Sequence, residues 1–314
     1  MAYSQGGLIA PADYNNFVGV SPSSTANTIN TVWAVGNGQY GYGQTALSQS
    51  ATQAQLVTAT QWATLINTLN SIRTHQSGSG SGISAVTAGS LINYLSTLST
   101  AVTAGYTNAL SFNAQGTTQT GSVFSPNMTY ANNVAAETLT FTRTITFASA
   151  DQARYFFNAG GQINFITTSM TNGDASGRSA DLCTLAGTNL ANITAIRATT
   201  NGGRSGTGGT ANTNNTALGY YSLTTSAQNI SNINSTGYAY TGDYVTVAIR
   251  SNGVQGSNAD KGTIVYLDFT LYAAALPSGD VVAQSINVTW NHRIDIVFPE
   301  TTNLASSWGA VTVS

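Results

Sequence analysis

Charge is scarce in this chain. Lys, Arg, Asp and Glu make up 6% of its 314 residues, Lys261 is its one lysine, and the net charge is −2. Typical proteins carry roughly a quarter charged residues. Such a chain has no basic patch to attract nucleic acid or an anionic membrane. Because surface charge normally keeps chains apart, the composition favours a protein whose surface is largely committed to other subunits.

The residues that usually build catalytic and metal sites are also few. Cys183 is alone, so no intramolecular disulfide or Cys-based metal cluster can form. The glycines at 36, 38 and 41 match a dinucleotide fingerprint by letter, but no acidic residue occurs between Asp13 and Glu137 to hold a ribose. We therefore predict no cofactor, no metal and no enzymatic activity. A catalytic relay assembled from distant residues stays open at this stage.

Long apolar runs are missing too. No stretch of 18 apolar residues occurs, which predicts no membrane insertion, and the first residues lack the basic region of a signal peptide. His75 is expected at a helix end, where a cation is favourable. His292 is expected in a core or interface, and Arg143 is expected to pair with Glu137 or Asp151 unless its end of the strand is wet.

Apolar residues at helical spacing mark the first part of the chain. Trp62, Leu65 and Leu69 recur three and four residues apart, and Leu95 and Leu98 continue the pattern after a Gly/Ser break at residues 77–82. Shorter helices are indicated at 11–17 and 28–35. We predict a helical region over residues 1–112 that mediates attachment or oligomerisation.

Alternating patterns dominate the rest. In residues 138–147, Leu139, Phe141, Ile145 and Phe147 face one way and threonines face the other. Residues 238–249, 263–272 and 288–298 alternate similarly. Together they predict an α+β protein, with a mainly antiparallel β-sandwich-like domain over residues 113–314.

The stretch after the first strand is rich in aromatic residues. We predict a capping-box turn at 149–152, a strand at 154–157 with aromatics on both faces, and a hairpin turn at 158–161. Such a strand needs two covering layers, and the helical stripes need partners. The pattern therefore predicts a homo-oligomer, trimer first and hexamer second. The candidate assembly contacts are Trp62, Leu65, Leu69, Leu95, Tyr155, Phe156 and Phe157.

Four segments resemble virion structural proteins of contractile-tailed, T4-like cyanophages. They are MAYSQGGLIAPADYNNFVG (1–19), GNGQYGYGQTALSQ (36–49), VTATQWATLINTLNSIRTHQSGSGSGISAVTAG (57–89) and FASADQARYFFNAGGQINF (147–165), the last with the motif ARYFFNAGGQINF. The resemblance is strong over the first half and loose over the C-terminal strands. It implies a virion component assembled in the host cytoplasm, with other virion proteins as partners. It carries over no catalytic residues and does not fix a position in the particle.

Two function classes follow. The first is a structural part of a tailed phage particle, in its neck, tail, baseplate or fibre, built from several copies. The second is a host-receptor or carbohydrate-binding module of a fibre, in which Tyr220, Tyr221, Tyr238 and Tyr240 stack on a surface glycan. A polysaccharide-cleaving enzyme is disfavoured because acidic residues are not clustered.

Overall fold

The computed structural model describes residues 11–21, 23, 26–49, 57–90, 92–174, 176–190, 192–199, 213–215, 217–237, 240–254, 262–276 and 284–314. Six α-helices lie in these ranges: α1 Pro11–Val18, α2 Ile29–Trp33, α3 Ala59–Ser77, α4 Leu95–Thr107, α5 Ala150–Asn158 and α6 Gly177–Cys183. A π-helical turn, Thr184–Asn189, continues α6.

Helix α3 begins and ends where its sequence provides caps. Thr58 and Gln61 form a capping box, in which each side chain meets the other residue's backbone. Gly78 ends the helix at φ 78°, a left-handed conformation that suits glycine. Helices α1 and α2 confirm the predictions at 11–17 and 28–35. Helix α3 confirms the helical spacing of Trp62, Leu65 and Leu69, and α4 packs against α3.

The strands form two antiparallel sheets. They are β1 Gln115–Gln119, β2 Asn127–Asn133, β3 Glu137–Phe147, β4 Gln162–Asn172, β5 Asn192–Ile196, β6 Thr213–Asn214, β7 Gln228–Asn234, β8 Tyr244–Ser251, β9 Ile264–Ala273, β10 Gln284–Pro299 and β11 Val311–Val313. Sheet A has the order β1-β10-β4-β5, with β2 also paired to β10, and sheet B has the order β11-β3-β9-β8-β7-β6. The predicted α+β class with a sandwich-like arrangement is confirmed.

Aromatic side chains join the two sheets. Phe141 and Phe269 of sheet B stack on each other, with ring centroids 4.8 Å apart. Phe269 lies 4.6 Å from Phe165 of sheet A, and Phe141 contacts Trp290 edge-on at 5.3 Å. The alternation of apolar residues in β3, β9 and β10 therefore directs one face of each strand into a shared core.

Residues 154–157 are helical, so the predicted second strand is wrong. Ser149 caps α5 by accepting a hydrogen bond from the Gln152 backbone N–H, but Gln152 Oε1 has no partner among the described residues. The turn comes after the helix, with Gly160 at φ 90°. Apolar residues on both faces fit a helix buried on nearly all sides as well as they fit a central strand.

The helical region and the sandwich share one hydrophobic core. The cluster of buried residues runs from Tyr14 in α1 to Val311 in β11. Polar contacts also cross between the regions: Gln44 Nε2 donates to the Ala305 carbonyl at 2.7 Å, and His75 meets Glu300 at 2.9 Å. The predicted boundary near residue 112 therefore falls within one continuous interior, and helices α5 and α6 lie beyond it.

Candidate interaction surfaces

The side chains predicted to contact other subunits lie inside this chain. Trp62, Leu65 and Leu69 are at most 2% exposed, and Leu95 is partly buried against the same core. Tyr155, Phe156 and Phe157 of α5 are also buried, with Phe157 stacked on Tyr220 at 4.2 Å. The apolar faces that were expected to need another chain are covered by their own chain, so an assembly surface has to be sought elsewhere.

Two of the segments that carry the phage resemblance bind each other. Arg154 of α5 donates to the carbonyl oxygens of Tyr40 and Val35, the latter at 2.7 Å, and pairs with Asp151 at 2.9 Å. Asn158 donates to the carbonyls of Gly38 and Gly41. The motif thus binds the glycine-rich loop at 36–43. These hydrogen bonds hold the helical region against the sandwich.

The tyrosines expected to stack on sugars are used internally. Tyr220 is fully buried, and the Tyr221 hydroxyl contacts the Gly38 carbonyl and Asn158, each at 2.7 Å. Tyr240 donates to Gln284 Oε1 at 2.7 Å. Tyr238 lies outside the described residues. A glycan surface built from Tyr220, Tyr221 and Tyr240 would compete with these contacts.

His75 lies in the last turn of α3, as predicted, and it is buried there. It is 1% exposed, and burial lowers its pKa despite a hydrogen bond with Glu300. The neutral ring donates from Nδ1 to Glu300 Oε1 at 2.9 Å. Nε2 has no partner among the described residues. This pair joins α3 to the end of β10 and offers no nucleophile.

His292 lies in the aromatic core, as predicted. Its ring stacks on Phe141 at 4.7 Å, and Nδ1 donates to the Trp290 carbonyl at 3.2 Å. Burial lowers its pKa to about 4, and the positive charge of Arg143 adds to that effect. At neutral pH the ring is uncharged and acts as a packing residue.

Arg143 does not pair with either predicted carboxylate. Its Nε donates to the Ser314 carbonyl at 3.1 Å, and its guanidinium lies 4.9 Å from the centre of the Phe124 ring. The strand face at this point is covered, since Arg143 is only 7% exposed. A backbone acceptor and an aromatic ring therefore take the place of a carboxylate.

A second buried arginine joins α6 to the sandwich. Arg178 donates to the Ala274 carbonyl, and its Nε lies 3.8 Å from Asp243 Oδ2, an ionic contact too long for a hydrogen bond. Burial raises the pKa of Asp243 to about 6. Asp181 is nearby, bonded to Ser235 at 2.6 Å, and burial raises its pKa too. We interpret the cluster as a structural ion pair under partial strain.

The outer face of sheet B is polar and partly exposed. Threonines at alternate positions of β3 lie beside Thr270 and Asp268 of β9. Tyr244 and Tyr272 stack at 4.7 Å near one end of this face, and Arg250 lies over Tyr266 at 4.0 Å towards the other. Arg250 also pairs with Asp268 at 2.8 Å. Aromatic rings and hydroxyl groups are thus displayed on one flat surface.

The edge of sheet A is exposed and lacks charge. β1 is exposed along its whole length, and residues 113–136 contain no Asp, Glu, Lys or Arg. Large apolar side chains are exposed there at Val123, Phe124, Tyr130 and Val134. Among the described residues, β1 and β2 pair only with β10, so their other edge meets no strand.

No family model, no curated protein and no solved structure matches the chain. Among the described residues, no three His, Cys, Asp or Glu side chains are placed to hold a metal ion. Within the same residues, none of the helices has the length and apolar character needed to cross a membrane.

Proposed function

We propose that this chain is a structural component of a tailed bacteriophage particle and is present there in several copies. The observation that carries the proposal is the surface: an uncharged sheet edge over residues 113–136 beside a threonine-lined sheet face. Surfaces that are nearly free of charge do not repel identical neighbours. The resemblance of four segments to cyanophage virion proteins supports the same reading, including a location in the virion and no enzymatic role.

Labelling of particles tests this function. An antibody raised against the purified chain should bind purified contractile-tailed cyanophage particles at a fixed position in electron micrographs. Its place at the neck, tail, baseplate or fibre would then assign the part. Mass spectrometry of the same particles should detect the chain in repeated copies. Absence of both the label and the peptides would refute the proposal.

Glycan binding by a fibre is the second candidate, and the outer face of sheet B favours it. Tyrosine rings that stack and threonine hydroxyls that donate and accept hydrogen bonds suit the faces and edges of sugar rings. A glycan array should show binding that Tyr272→Ala reduces about tenfold, whereas Tyr221→Phe, which changes an internal residue, should not. An array without signal would rule this candidate out.

A further inference from the structure

Residues 124–130, which include the start of β2, run along β10 in one continuous register. Phe124 exchanges both backbone hydrogen bonds with His292, at 2.8 and 3.0 Å, and the Pro126 carbonyl accepts from the Trp290 N–H at 2.9 Å. The register continues unchanged to Thr129, which lies opposite Asn287. Backbone groups of successive residues in an antiparallel strand point to opposite sides. Even-numbered residues therefore bond to β10, and odd-numbered residues point their N–H and C=O groups outwards.

This outward edge carries none of the usual protections against pairing. Proteins block exposed edges with charged side chains, often lysine, or with proline. Residues 113–136 have no charge, and their one proline is Pro126. Its ring nitrogen faces Trp290, the side that is already paired. Ser125, Asn127 and Thr129 consequently keep their outward N–H groups.

We propose that this strand pairs with the same strand of a second copy, antiparallel about a two-fold axis at Asn127. The proposal rests on the proposed function and names the contact through which copies associate. In this register Asn127 faces Asn127 of the partner subunit, and Ser125 faces Thr129 of the partner subunit. Each such pair exchanges two backbone hydrogen bonds. Sheet A then continues from one subunit into the other.

The exposed aromatic residues select both the register and the partner. Phe124 is 43% exposed and Tyr130 is 37% exposed, on the same face of the strand. A two-fold axis at Asn127 places Phe124 opposite Tyr130 of the partner subunit, in the closer, non-hydrogen-bonded type of pair. Cross-strand aromatic pairs stabilise sheets. A register shifted by two residues would still pair the outward N–H and C=O groups of the two strands. It would place Phe124 opposite Met128 or Asn132 of the partner subunit instead.

A second copy fits this edge better than a charged partner does. The same segment supplies both members of the aromatic pair and the full set of donors and acceptors. No side chain of residues 113–136 could neutralise a charge on an incoming strand. A two-fold contact is compatible with the predicted hexamer if its symmetry is dihedral, and it does not by itself build the predicted trimer.

A matched pair of variants at one position tests the contact. In the full-length chain, Thr129→Pro removes an outward N–H while leaving the bonds to β10, and Thr129→Ala keeps that N–H. Sedimentation equilibrium should show association of monomers into dimers in the wild type and in Thr129→Ala. In Thr129→Pro the dissociation constant should rise at least about tenfold, because both copies lose the bond. Thermal midpoints would verify that each variant is folded.

A crosslink tests the register. Asn127→Cys in a Cys183→Ala background places two thiols across the axis, where opposed Cα atoms in such a pair lie about 5.5 Å apart. Mild oxidation should give a covalent dimer, while Thr118→Cys in the same background should stay uncrosslinked. Ellman titration of each variant before oxidation would show that its introduced thiol, at position 127 or 118, is accessible.

The outcomes separate this contact from the proposed function. A wild type that is monomeric at micromolar concentration, or an association that Thr129→Pro leaves unchanged, would overturn the edge contact even if particles contain the chain. Failure of Asn127→Cys to crosslink would overturn the register. Absence of the chain from particles would refute the function and leave the pairing itself measurable in solution.

Discussion

Single buried polar residues define the pH response of this protein. His292 and Asp243 are both almost fully buried, and burial shifts their pKa values to about 4 and about 6. The two pKa values shift in opposite directions. Burial disfavours the cation of His292 and so lowers its pKa, and it disfavours the anion of Asp243 and so raises its pKa. Both side chains lie in packed surroundings, so we expect their titration to affect stability.

His292→Phe should reduce the loss of stability in acid. The unfolded chain binds a proton at His292 near pH 6.5, while the folded chain does so only near pH 4. The unfolded state therefore holds more protons between these values, and wild-type stability falls as pH decreases through this window, by roughly 2 to 3 kcal/mol from this group. The variant lacks the titrating ring and keeps an aromatic side chain beside Phe141.

Urea unfolding of both proteins from pH 7 to pH 4 would measure the difference. The free energies of unfolding should diverge as the pH is lowered, with the variant losing less. His75→Gln gives a comparison at the other histidine, whose pKa is also lowered. Parallel curves for wild type and His292→Phe would contradict the prediction.

At the scale of elements, α5 and the loop that it holds are the least replaceable contact. Arg154 binds two loop carbonyls and is 2% exposed, whereas its partner Asp151 is 61% exposed at the side chain. Arg154→Leu should lower stability by about 2 to 3 kcal/mol, because buried carbonyls of the loop lose a charged donor. Asp151→Asn breaks only a surface ion pair and should cost less than about 1 kcal/mol.

Chemical denaturation compares the two variants directly. Equal losses would show that the ion pair, and not the loop anchoring, is the stabilising contact. Hydrogen exchange at Tyr42 and Gly43, whose N–H groups bond to α2 and the residue after it, should also accelerate in Arg154→Leu alone.

Regular patterns made most of the fold predictable. The alternation in β3, β8, β9 and β10 located strands within a few residues, and the apolar spacing around Trp62 located α3. The prediction at 154–157 failed because four residues are too few to show a period, whereas over the whole of α5 the polar residues Asp151, Arg154 and Asn158 recur three and four positions apart. The sequence did predict the Ser149 cap, but such a cap begins helices as well as turns, and here it begins α5.

The surfaces were less predictable than the elements. Whether Leu65 faces another helix of the same chain or another subunit depends on long-range packing, which local spacing does not encode. The edge at 124–130 shows weak alternation, and its exposure follows only from its pairing with β10. Low charge predicts self-association, which stays a prediction, and it does not point to the strand that we propose to mediate it.

The whole molecule should unfold as one unit. Since one buried cluster spans the helical region and the sandwich, helix loss measured by circular dichroism and core exposure measured by tryptophan fluorescence should share one midpoint in urea. Leu65→Asp should shift both midpoints together, by about 4 kcal/mol or more, because a charge enters a fully buried site. A helical signal that is lost while the β signal persists would instead indicate two independent domains.

The bond between Gln44 and Ala305 joins residues 261 positions apart. A ribosome has therefore synthesised nearly the whole described chain before this contact can close. The loop at 36–43 likewise waits for Arg154, more than a hundred residues later. Folding of the described chain is thus completed only after residue 305 has been synthesised, and until then the early helices lack their final partners. Chaperones would protect the exposed helices during that interval, and limiting them should reduce the yield of native chain.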